Sequence, residues 1–86
     1  MYVITTSASG WLKDLHTEIR IEFDDDAKDE AIRCSKPGES MLEQCCWRLI
    51  HNRMDEVQGE AVTFTVSRAD VVELIWQSQQ ANGLSN

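Results

Sequence analysis

Basic residues are scarce in this chain, and long apolar runs are missing altogether. Eight Lys and Arg stand against 15 Asp and Glu in 86 residues, a net charge of −7 at neutral pH. A molecule this acidic repels nucleic acid and anionic membrane surfaces at long range. Direct nucleic-acid binding and membrane binding are therefore not expected, and a partner chosen by charge must carry a basic surface. The longest uncharged stretches are the first 12 residues and the last 13, both rich in Ser, Thr, Asn or Gln. No membrane span is expected from them. No basic stretch followed by an apolar core opens the chain, so no signal peptide is expected either. Three cysteines, Cys34, Cys45 and Cys46, make an odd set with two adjacent members. That is not a disulfide framework, and it points to a reducing, cytoplasmic compartment.

The motifs that usually announce chemistry are also absent. There is no Gly-rich phosphate loop, no G-x-S-x-G, no H-E-x-x-H and no basic aromatic strand of the RNA-binding type. No internal repeat, low-complexity segment or linker interrupts the chain, and no motif is specific enough to name a family. Metal sites use short-spaced cysteine pairs or histidines at i and i+4. Here Cys34 stands alone, while Cys45 and Cys46 point about 100° apart on a helix. His51 falls on a different face and His16 is remote in sequence. No metal and no cofactor are expected, and the cysteines read as small buried hydrophobes.

What is present is one domain with an α+β pattern. Apolar residues make up 42% of the chain, enough for a single core at this length. "TEIRIEF" (17–23) alternates, with Ile19, Ile21 and Phe23 inward and Glu18, Arg20 and Glu22 outward. "YVITT" (2–6) is its expected partner, and "AIRCS" (31–35) is a weaker third strand, ended by Pro37 and Gly38. Ser40 with Glu43 forms a capping-box pattern that opens a helix. Its apolar stripe runs through Leu42, Cys45, Cys46, Leu49, Ile50, Met54 and Val57 to a stop at Gly59. "AVTFTV" (61–66) alternates again. Ser67 with Asp70 opens a second helix carrying Val71, Leu74 and Ile75, with Gly83 as its C-cap. The expected architecture is a small antiparallel sheet of three or four strands, with two amphipathic helices packed on one face.

The acids are concentrated. Residues 18–30 hold seven acids and two bases, net −5 of the total −7. Against a calcium loop counted from Asp24, position six is Asp29 where Gly is needed, and position twelve is Ser35 where Glu is needed. The match fails. Consecutive aspartates are seldom buried, so "EFDDDAKDE" (22–30) reads first as a solvent-facing turn. Its functional alternative is a surface presenting Glu22, Asp24, Asp25, Asp26, Asp29 and Glu30 to a basic protein, with Trp11 as a nearby aromatic contact. Closely spaced carboxylates can stand in for phosphates in a cleft built of Lys and Arg.

Arg53 falls within the apolar arc of the first helix and is expected to snorkel outward to Glu56 or a strand glutamate. Trp47 and Trp76 sit at stripe edges and are expected to seal the core. The leading expectation is a non-catalytic interaction module. It would act as inhibitor, adaptor or regulator of a protein with a basic surface, by analogy with phage or mobile-element inhibitors that occlude nucleic-acid-handling enzymes. A structural homodimer or subunit, joined at a sheet edge or at the Trp47/Trp76 rim, is the alternative. A small enzyme depending on Cys46 is the remote one.

Overall fold

The computed structural model describes the backbone of residues 1–9 and 16–84, and side-chain surroundings for residues 1–8 and 16–80. Three strands and three helices follow one another as β1 (Tyr2–Ser9), β2 (His16–Phe23), α1 (Asp25–Arg33), α2 (Met41–Asn52), β3 (Ala61–Val66) and α3 (Arg68–Leu84), with a 3-10 turn at Met54–Glu56. The strand order is β1-β2-β3. β1 runs antiparallel to β2, with Tyr2 opposite Phe23 and Ile4 opposite Ile21. β2 and β3 run parallel, with Ile19 beside Val62 and Phe23 beside Val66. The sheet is therefore mixed, not antiparallel as the alternating strands suggested. Alternation reports one wet face, and it does not report the direction of a neighbour separated by two helices.

The wet face is real. β2 alternates exposed and buried from Thr17 inward to Phe23. Ile19, Ile21, Phe23, Phe64 and Val66 form one core with Ala27 and Ala31 of α1, with Met41, Cys45, Cys46, Leu49 and Ile50 of α2, and with Val71, Leu74 and Ile75 of α3. The opposite face carries exposed Thr5, Ser7, Glu18, Arg20, Thr63 and Thr65. Four of the five largest fully buried side chains come from β2 and β3, so the parallel pair is the floor on which all three helices rest.

Both capping patterns open helices, the reciprocal bonds forming at Ser67 and Asp70 and the hydroxyl half alone at Ser40. Ser40 Oγ accepts from the Glu43 N–H at 3.3 Å. At the head of α3, Asp70 accepts from both the N–H and the hydroxyl of Ser67 at 2.9 Å, and the Asp70 N–H returns to Ser67 Oγ. Pro37 and Gly38 make a tight turn in which the Glu39 N–H reaches the Lys36 carbonyl at 2.9 Å. Gly38 there has φ +82°, as a type II turn requires at its third position.

Three elements differ from the sequence-based expectation. Residues 25–33 form a helix, so the acidic run is neither a turn nor the approach to a strand at 31–35. The first capped helix ends at Asn52, because Arg53 leaves the helical region with φ −125° and ψ 33°; only a 3-10 turn follows. α3 continues through Gly83 to Leu84, so Gly83 does not terminate it. Among the described residues no helix is long and apolar enough to cross a membrane.

Candidate interaction surfaces

α1 explains what the acids do locally. Asp24 is its N-cap, with Oδ1 accepting from the Ala27 N–H at 2.7 Å. Asp25 and Asp26 fill the first turn and Arg33 the last, an arrangement that complements the helix dipole at both ends. Inward faces carry Ala27, Glu30 and Ala31. Glu30 is therefore buried, at 7% exposure. It takes hydrogen bonds from Arg33 and, at 3.2 Å, from Arg68, with the Cys34 thiol 3.5 Å away. The Arg33 bond above all, with help from Arg68 and Cys34, holds its carboxyl below the ordinary glutamate value despite the opposing effect of burial. Of the acids singled out in the sequence, Glu30 is the one folded inward.

The others remain at the surface, in different states. Asp25 takes the N-terminal ammonium at 2.8 Å, and Glu22 takes Arg20 Nε at 2.7 Å. Among the described residues, neither Asp26 nor Asp29 is in an ion pair. The parallel pairing of β2 and β3 then adds an acid that the sequence suggested only as a cap. Phe23 and Val66 end side by side, and the Asp24 N–H donates to the Val66 carbonyl at 3.2 Å. The starts of α1 and α3 thus share one end of the sheet, where Glu22, Asp24 and Asp70 line a single shallow depression with Thr65 and Ser67. A second depression beside it is lined by Asp26, Asp29, Glu30, Arg33 and Arg68. Two helix N-termini at the ends of parallel strands would ordinarily suit an anion. Here Asp24 Oδ1 already takes the Ala27 N–H and Ser67 Oγ the Asp70 N–H, and the negative charges of Asp24 and Asp70 oppose a phosphate.

A different surface lies along β1. Tyr2, Ile4 and Thr6 face Leu42, Cys46, Trp47 and Ile50 of α2 across an open groove. Trp47 is 63% exposed and Trp76 58%, so neither ring seals the core as expected. Trp11 lies outside the described residues.

Cys45 and Cys46 are held away from reactivity. Burial raises Cys45 to about 11, helped by Cys34. It raises Cys46 to about 12, helped by Cys45 and Glu43. All three cysteines are free. His16 and His51 are exposed, and among the described residues no group of three or more His, Cys, Asp or Glu side chains is placed to hold a metal ion. Arg53 pairs with Glu56 through two bonds of 2.6 and 2.7 Å. Its guanidinium lies 4.5 Å from the centre of the Phe64 ring, a stacked position that covers the edge of the core.

Fold and surfaces together define a small two-layer α+β domain with an acidic end and a largely apolar groove in which Glu43 is the one charged side chain. No protein-family model, curated protein or solved structure matches the chain.

Proposed function

We propose that this chain is a non-catalytic, cytoplasmic protein-binding module that receives a basic region of another protein at its acidic end. The observation that supports this best is the gathering of Glu22, Asp24, Asp25, Asp26 and Asp70 where α1 and α3 begin, with Asp29 one turn along α1. Carboxylates on two rigid helix starts hold their spacing better than carboxylates on a loop. A Lys- or Arg-rich surface meeting them gains charge-assisted hydrogen bonds as well as long-range attraction. A cleft that normally grips a nucleic-acid backbone has this chemistry, and covering it would make the module an inhibitor of its host enzyme. The protonated state of Cys45 and Cys46 favours binding over thiol catalysis. Three free cysteines favour a reducing compartment.

The test is affinity capture from the native cell with wild type and with the Asp26→Asn, Asp29→Asn double variant. Among the described residues neither side chain is in an ion pair or a side-chain hydrogen bond, so the variant is expected to keep the fold. Basic proteins should be recovered by wild type at low salt, and lost both with the double variant and at about 0.5 M salt, where the Debye length is only ~4 Å. A partner retained under both conditions would show that charge does not carry the binding.

A further inference from the structure

Among the described residues, β1 has none of the devices that keep a sheet edge from pairing. Exposed edges are usually blunted by charge, proline, a bulge or short length. Tyr2–Ser9 is an eight-residue strand with no charged residue and no proline, and it pairs with β2 in unbroken register along its whole length. β2 is the central strand, and no described strand pairs with the outer side of β1. The other edge strand is treated differently. β3 has six residues, stands between Glu60 and Arg68 in sequence, and has the Arg53–Glu56 ion pair set against its Phe64.

We propose that β1 pairs antiparallel with β1 of a second copy, about a two-fold axis at Thr5, to form a continuous six-stranded sheet. Three observations choose a second copy over another occupant. The first is charge. Two molecules of net −7 associate only where the acids are absent, and among the side chains lining the β1–α2 groove the one charged group is Glu43. The second is the self-complementary pattern of the strand. Directly opposed residues share a face in an antiparallel pair, so Tyr2, Ile4, Thr6 and Ala8 must stay on the helix side in both copies. With Thr5 opposite the partner's Thr5, Tyr2 meets the partner's Ala8, Ile4 meets the partner's Thr6, and Val3 meets the partner's Ser7. Each large side chain then faces a smaller one. The third is Trp47, exposed at 63% beside this edge. The extended sheet brings the partner's α2 to the same side, so each Trp47 gains a cover at the junction. This dimer uses no residue of the acidic end and does not depend on the binding proposed there.

The test is light scattering with size exclusion on the full chain. The expected mass is twice 9.8 kDa, unchanged by about 0.5 M salt and by the Asp26→Asn, Asp29→Asn variant. Thr5 is exposed on the wet face, so Thr5→Lys and Thr5→Glu leave the monomer folded, as circular dichroism will verify. Alone, each variant places like charges together at the axis and runs as a monomer. Mixed in equal amounts, the two opposite charges meet and the dimer returns. Three results would each overturn the pairing: a wild-type monomer at about 1 mM, a Thr5→Lys dimer, or a mixture that stays monomeric.

Discussion

Glu30 occupies a position on α1 that a helix packed on a sheet ordinarily gives to an aliphatic side chain. Its two arginine partners are well exposed, Arg33 at 69% and Arg68 at 66% of their side chains. Removing the carboxylate therefore strands no buried cation, and Glu30→Gln is expected to fold. The consequence lies in the pH dependence. A carboxyl held below its ordinary value of 4.5 adds stability that is fully present above that value and lost as pH falls through the folded-state value. Glu56, lowered by Arg53, and Asp25, lowered by the N-terminal ammonium, act in the same direction. Wild type should lose unfolding midpoint between about pH 6 and about pH 3, and Glu30→Gln should lose less over the same span. Parallel curves for the two proteins would contradict the buried pairing. The cysteines offer a second check at this scale. A thiol reagent at about pH 8 should reach half-buried Cys34 first, while Cys45 and Cys46, at 2% and 5% exposure, react only as the protein unfolds. Simultaneous modification of all three in the native state would contradict it.

At the scale of elements, α1 depends on its cap because it buries so little. Its inward residues are two alanines and a glutamate, which contribute far less transfer free energy than the leucines and isoleucines of α2 and α3. Asp24→Ala should therefore destabilise the protein by about 1 kcal/mol, and Asp24→Asn, which keeps an acceptor, by only part of that. Urea denaturation of the two variants measures the difference; equal losses would mean that charge rather than capping sets the contribution. The same poverty of apolar residues is why α1 could not be read from hydrophobic period, although Asp24, the acids of the first turn and Arg33 in the last are a helix signal of another kind. Where burial is apolar, the sequence was legible. The alternation at 17–23 and 61–66, the caps at Ser40 and Ser67, and the Arg53–Glu56 pair all follow from local spacing. The direction of β3 was not legible, because α1 and α2 intervene and strand polarity is fixed by how that crossover packs. Trp47 and Trp76 were misplaced because the edge of an apolar stripe differs from the solvent side by a small rotation of the helix. The acidic end was half legible: Asp24 to Asp29 are contiguous, whereas Asp70 reaches them only through the parallel pairing.

For the molecule as a whole, net charge sets the two surfaces against each other. The proposed basic partner would be drawn in by the field of the acidic end, and that attraction would shorten from a Debye length of ~30 Å at 0.01 M salt to ~10 Å at 0.1 M. Two copies of this chain instead repel through the same field, and the proposed contact along β1 would be made of backbone hydrogen bonds and uncharged side chains. Screening removes the repulsion without touching those contacts. Salt should thus move the two equilibria in opposite directions. Between about 0.02 M and about 0.5 M salt, self-association followed by sedimentation should tighten several-fold, and binding of an oligolysine peptide followed by calorimetry should weaken at least tenfold. Loss of self-association in salt would mean that the copies meet through ion pairs, which β1 cannot provide. Oligolysine binding that ignores salt would mean that the peptide is not held by the carboxylates of the acidic end. Asp26→Asn with Asp29→Asn discriminates further, since it lowers the net negative charge without altering β1. It should tighten the dimer at low salt and weaken the peptide, two shifts of opposite sign from one pair of substitutions.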